Sequence, residues 1–236
     1  TFKIEPDEGD LLIEPEDVLK SAKKAVELGC TELLFVSGDR PENMYDVYRK
    51  KLDSMGYKST ADYMIGMSEI CLEEGIFPHS NLGIAKIDEL KRFKNSNPSM
   101  GLMLENVSER LMEPGEAHYR CPDKYPRARI KTISNAGELN IPWTSGILIG
   151  IGENWEERID SIYELRRIND KYGHIQEIII QNFTPKPGIQ MEGHPAPTDF
   201  EMIKTVAIAK IIMGPKMNIQ VPPNLNSQTY MLHISS

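Results

Sequence analysis

No stretch of this chain approaches the roughly 20 consecutive apolar residues of a membrane-spanning helix, and its start shows no basic segment running into an apolar one, as a secretory signal would. Basic charge is in deficit: 27 Lys and Arg face 35 Asp and Glu, a net charge of −8. That balance argues against nucleic acid or an anionic membrane as partner. Cysteine is scarce, with only Cys30, Cys71 and Cys121. An odd, widely spaced set builds no disulfide framework and matches no zinc-ligand spacing. Free thiols in a reducing cytoplasm are expected, with Cys30 and Cys71 buried or half-buried. The five histidines are scattered at 79, 118, 174, 194 and 233, without the spacing of a helical metal site. No nucleophile elbow is present, and no metal site is expected from the residues in hand.

What is present is ordinary globular material: 40% apolar and 26% charged residues in a chain of 236, enough for one large domain. Strand-like and helix-like segments alternate along it. Strands are predicted over 32–37, 76–80, 100–104, 143–149, 175–183 and 218–221. Helices are predicted over 15–28, 41–55, 59–74, 86–94, 126–139, 154–172 and 199–213, with a short one near 108–112. Regular βα alternation implies a parallel sheet with right-handed crossovers. The fold class expected is α/β, an incomplete (β/α)8 barrel of about six βα units forming one domain over 1–236. The first strand and the last βα unit are read as missing; an open six-stranded sheet is the plainer alternative. The Pro- and Gly-rich loop 185–197 suits a βα loop over a site.

The most informative stretch is 143–153, an apolar run that ends in Gly150-Ile151-Gly152-Glu153. The run suits a strand buried on both faces, and its glycines allow a bend and a close approach. No Gly-Lys-Ser/Thr comes after it, and the third glycine of the dinucleotide fingerprint is absent. A flat apolar group such as an adenine against Ile149 and Ile151 suits this turn better than a pyrophosphate. A plain turn is the bland alternative.

Other strand ends carry polar groups. Ser37-Gly38-Asp39 comes after the first strand and suits an ammonium group, unless Asp39 merely caps the next helix. Glu105 and Asn106 lie just past the third, where ribose hydroxyls or an amine would be held, and Arg110 is placed to fork onto a carboxylate. The alternative makes Ser108 an N-cap and Glu109 and Arg110 solvated charges. Gln181 and Asn182 end the fifth strand and read equally as heterocycle recognition or turn chemistry. His79 reads as a strand-end residue facing the site. Glu73, Glu74, Glu156 and Glu157 read as solvent-facing helix carboxylates.

Taken together, these strand ends resemble the radical S-adenosylmethionine (SAM) enzymes of the biotin-synthase-like group. Ser37-Gly38-Asp39, Met103-Leu104-Glu105-Asn106 and the run Gly146 to Glu153 stand where that group has its second-, fourth- and fifth-strand motifs. Within the group, the FO-forming family is the most similar, through Gly29-Cys30-Thr31-Glu32, Gly38 to Glu42, Ile141 to Glu153, Ile175-Gln176-Glu177 through Pro185-Lys186, and Val221 to Leu225. The resemblance covers nearly the whole chain.

The resemblance implies a 4Fe–4S cluster that reductively cleaves SAM to a 5′-deoxyadenosyl radical. That radical acts on a tyrosine-derived adduct of 5-amino-6-(D-ribitylamino)uracil, supplied by a second FO synthase subunit, and closes the deazaflavin ring with loss of ammonia. By position, Ser37, Gly38 and Asp39 would meet the methionyl amino group. Glu105 and Arg110 would hold ribose or methionyl groups. Ile149, Gly150, Ile151 and Gly152 would line the adenine. His79, Gln181 and Asn182 are weaker substrate candidates. One departure is severe: the family's Cys-x-x-x-Cys-x-x-Cys is absent, and Thr1-Phe2-Lys3 resembles the residues just past its third cysteine. The fragment itself is therefore expected to be inactive. Another biotin-synthase-like or menaquinone-pathway enzyme is one alternative, and a cluster-free adenosyl-binding α/β protein the other.

Overall fold

The computed structural model describes residues 12–226. The Thr1-Phe2-Lys3 match and His233 lie outside the described residues. Two compact units divide the chain, Thr1–Gly101 and Leu102–Ser236.

The first unit opens with helix α1, Pro15–Glu27, whose proline starts it at a position needing no amide donor. Gly29, at φ 75°, lets the chain turn out of α1, and the Cys30 amide then bonds back to the Ala25 carbonyl at 2.9 Å. This geometry leaves Cys30 exposed, not buried or half-buried as expected, whereas Cys71 is fully buried. Strands β1, Glu32–Val36, β2, Phe77–Asn81, and β3, Ser99–Gly101, run parallel, with Leu34 paired to His79 and His79 to Ser99. Between β1 and β2, the predicted helix 41–55 splits. A 3-10 turn at Pro41–Asn43 precedes helix α2, Asp46–Ser54. Buried Glu42 accepts hydrogen bonds from the amide and hydroxyl of Thr60. That long-range contact holds the turn where local propensity alone would run on.

Helix α3, Thr60–Glu73, fills the core with Met64, Met67 and Cys71, and Ser59 caps it by accepting from the Asp62 amide. Helix α4, Ile87–Phe93, buries Leu90 and Phe93.

In the second unit, β4, Trp143–Ile149, is buried along its length apart from the half-buried Leu148. It pairs in parallel with β5, Ile175–Asn182, which pairs with β6, Asn218–Gln220. Gly146 is obligatory: a Cβ there would lie 2.1 Å from the Ile179 carbonyl oxygen. The predicted strand 100–104 ends early, at Gly101. Residues 102–105 instead track β4 irregularly, with the Leu102 amide bonded to Thr144 O and the Glu105 amide to Gly146 O.

Helices α5, Pro126–Glu138, α6, Trp155–Tyr172, and α7, Asp199–Met213, cover this sheet with Ile133, Ile162, Leu165, Met202 and Ala209. Capping boxes open both α6, through Asn154 and Glu157, and α7, through Thr198 and Glu201. Among the described residues, no helix is long and apolar enough to cross a membrane.

Candidate functional site

In the first unit, the chain leaves β1 through Ser37-Gly38-Asp39. The Ser37 amide bonds to Asn81 O at 3.1 Å, yet its hydroxyl oxygen is buried with no hydrogen-bond partner among the described residues. A buried hydroxyl left open at a strand end is costly and points to a missing partner. Asp39 is not a helix cap. Arg40, at φ 48°, occupies that position, and its side chain forks onto Glu89 and reaches Ile84 O. Asp39 instead lies against Gly83, whose hypothetical Cβ would be 3.4 Å from Asp39 Oδ1.

His79 stands in the middle of β2 and not at its end. Its Nδ1 is 2.7 Å from Ser99 Oγ and 3.7 Å from Glu32 Oε2, and Ser99 Oγ donates to the same carboxylate oxygen at 3.1 Å.

In the second unit, Glu105 adopts φ 66°, a left-handed conformation uncommon for a residue with a long side chain. Its amide and carbonyl are both tied to β4, through Gly146 O and the Leu148 amide. The carboxylate is buried among Lys124, His118 Nε2 at 3.3 Å and Arg129 Nη1 at 3.4 Å. Burial alone would raise its pKa. The His118 hydrogen bond and the Lys124 and Arg129 charges outweigh burial and hold it at about 2. Lys124, His118 and Arg129 escaped the sequence reading because they lie 13 to 24 residues downstream with no local periodicity.

The turn after β4 is held from two sides. Glu153, whose side chain is 0% exposed, accepts from the Gly150 amide at 2.9 Å and the Ile151 amide at 2.8 Å, and pairs with Arg158. Arg110 sends Nη2 to Gly152 O at 2.8 Å. The same guanidinium forks onto Glu157, which also accepts from Ser108 Oγ at 2.6 Å, and Nη1 lies 3.0 Å from Glu116. Glu157 is therefore not the solvent-facing carboxylate expected. The Arg110 hydrogen bond, opposed by partial burial and aided by Ser108, lowers its pKa to about 2. The side chains of Ile149 and Ile151 are buried in the protein, and the Pro197 ring sits on Gly150, where a Cβ would meet its Cδ at 2.5 Å. With those side chains buried, what this strand end exposes is backbone at Gly150 and Gly152, beside the half-buried Leu148.

Gln181 is half-buried at the end of β5. Asn182 is turned to structure: its amide donates to Leu225 O at 3.2 Å and accepts from Asn226 at 3.1 Å.

The family model for the radical SAM superfamily matches residues 5–165. The chain belongs to the radical SAM superfamily. It is 53% identical over 229 residues to a 7,8-didemethyl-8-hydroxy-5-deazariboflavin synthase of Methanothermobacter thermautotrophicus, covering 97% of this chain and 69% of that protein. The enzyme of the same name from Methanopyrus kandleri is 46% identical over 234 residues, covering 98% of this chain and 70% of that one. These relatives place the chain in the deazaflavin (FO) synthase family of radical SAM enzymes. The crystal structure of HydG, a maturase of the FeFe-hydrogenase, superposes with a TM-score of 0.76 at 17% identity, over 94% of this chain and 47% of that one. Together with the family match, that likeness bears out the α/β fold class expected from the sequence.

The superfamily uses SAM and a 4Fe–4S cluster. Such clusters are held by cysteine thiolates. Cys30 is exposed, Cys71 buried and Cys121 half-buried, and no group of three or more potential ligands converges among the described residues. These residues do not fit the cluster. The Ser37 hydroxyl, buried with no hydrogen-bond partner among the described residues, leaves room for a polar group of SAM.

Proposed function

We propose that this chain carries the SAM-binding strand ends of an enzyme that forms FO from a tyrosine-derived adduct of 5-amino-6-(D-ribitylamino)uracil. The observation that carries the reading is the turn after β4, whose amides are already satisfied by Glu153. With the Gly150 and Ile151 amides taken, the edge suits the neutral adenine of SAM better than a phosphate. Ser37, Gly38 and Asp39 meet the methionyl ammonium, with the Ser37 hydroxyl as a waiting acceptor. Glu105 and Arg110 act on the ribose and methionyl groups through the strand-end network each belongs to. Gln181 and, more weakly, His79 are our substrate candidates, whereas the Asn182 side chain is tied to Leu225 O and Asn226. SAM supplies the 5′-deoxyadenosyl group; the chain's own residues bind and orient it.

A second FO synthase subunit that supplies the adduct is the partner, and the reduced cysteines suit a cytoplasmic enzyme. The test is the full-length, cluster-loaded protein incubated with SAM, reductant, tyrosine, the ribitylaminouracil and that second subunit. Deazaflavin fluorescence and 5′-deoxyadenosine are expected together. SAM cleavage without fluorescence would overturn the substrate assignment, and no cleavage at all would overturn the SAM site.

A further inference from the structure

Glu153 presents an unusual arrangement. Two glycines with positive φ, Gly150 at 84° and Gly152 at 95°, flank a turn whose amides converge. Converging amides of this kind form a concavity that ordinarily takes an anion from a ligand. Here the concavity holds the protein's own anion. The Gly150 amide lies 2.9 and 3.1 Å from the two carboxylate oxygens of Glu153, and the Ile151 amide lies 2.8 Å from one of them.

A buried carboxylate requires a compensating charge. Arg158 supplies it through Nε at 3.0 Å, with Nη2 donating to the same oxygen. Arg158 is itself 4% exposed and fixed from three directions. Its guanidinium lies 4.4 Å from the centroid of the Trp155 ring. Nη1 donates to Thr205 Oγ1 at 3.2 Å, and Nη2 stands 3.8 Å from Glu201 on α7. One continuous path therefore runs from α7 through Arg158 and Glu153 to the backbone of Gly150 and Ile151.

We infer that Arg158 is a positioning residue for SAM: it holds Glu153 against the Gly150 and Ile151 amides and so fixes the backbone edge that receives the adenosyl group. The inference rests on the reading of that edge as the SAM site. Arg158, buried behind the turn's carboxylate, acts through Glu153. Without it, Glu153 would turn toward water, and the two amides would be released. The edge would then lose its shape although every residue along it is unchanged.

The test uses the full-length, cluster-loaded enzyme and reads SAM affinity by equilibrium dialysis beside the thermal midpoint. Arg158→Gln is compared with Gly137→Ala, which forces a Cβ to within 2.6 Å of the Tyr172 ring and destabilises the same unit away from the turn. Arg158→Gln is expected to weaken SAM binding about tenfold or more, and Gly137→Ala to leave it within about twofold at a comparable midpoint. Arg158→Lys, which keeps the charge but not the fork, should recover part of the loss. Equal losses in Arg158→Gln and Gly137→Ala, or unchanged binding in Arg158→Gln, would overturn the inference. Photolabelling with an 8-azidoadenosyl analogue of SAM separates the two levels. Label outside the peptide carrying 149–152 sinks the site itself. Label on that peptide with unchanged binding in Arg158→Gln sinks only the positioning role.

Discussion

Arg110 Nε and Nη2 each lie 2.8 Å from a separate oxygen of Glu157, so two residues 47 positions apart meet in a bidentate fork. The fork joins the 3-10 segment Glu109–Met112 to the first turn of α6. Because the same guanidinium also holds Gly152 O, it braces the turn after β4 at a different residue from those Arg158 holds through Glu153.

Arg110→Lys keeps the charge and loses the planar geometry. The pair is partly solvent-exposed, with Arg110 at 39%, so screening reduces its worth. A loss of about 1–2 kcal/mol in urea unfolding is expected, with the slope unchanged. A variant as stable as wild type would show that the fork contributes nothing net.

Acid should unfold the second unit through its two depressed carboxylates. Glu105 and Glu157 fall from an ordinary value of 4.5 to about 2 in the folded state. A folded pKa below the unfolded one contributes stability that is fully present above pH 4.5 and lost as pH falls toward 2. Unfolding free energy measured across that window should decline steeply. Glu105→Gln should be less stable at neutral pH by about 3 kcal/mol, since it strands Lys124 and Arg129, and its decline with acid should be shallower. Parallel pH curves for the two proteins would contradict this.

Gly146→Ala should be among the most damaging single-methyl changes in the chain. Its Cβ would meet backbone atoms of Ile179, at 2.1 Å for the carbonyl oxygen, and not a flexible side-chain end. β4 and β5 would have to separate, at a cost of about 3 kcal/mol or more. A drop of several degrees in thermal midpoint checks it, and a midpoint unchanged from wild type would refute it.

The cysteines should differ in reactivity. Cys30 is exposed, whereas burial pushes the Cys71 thiol up to about 11. Near pH 8, Ellman's reagent should label Cys30 at once and Cys71 only as fast as the protein opens. Rapid labelling of both in the native protein would count against the buried α3 face.

Local chemistry made much of this architecture legible. The β4 boundaries, 143–149, and the α7 boundaries, 199–213, agree with the sequence reading. An unbroken apolar run needs no partner to be recognised, and Thr198 with Glu201 is a cap written within four residues. Glu42 and Glu157 were opaque for the opposite reason. Each is a carboxylate whose meaning depends on a distant group: Thr60 and Arg110. In sequence such residues look like ordinary surface charge. His79 likewise became readable only once its strand neighbour was known to be Ser99.

Pro197 packs on Gly150 while the Phe183 amide bonds to Ile149 O at 2.8 Å, so the loop after β5 is fastened near both ends to one strand terminus. Grafting or lengthening that loop is therefore constrained at its margins and free at its middle. A replacement that ends in any residue but a flat, amide-free ring would prise open the glycine turn. Variation between enzymes of this kind should accordingly concentrate in residues 185–193, where the hydrogen bonds, from Gly188 to Glu192 and from Glu192 to Ile189, stay within the loop itself.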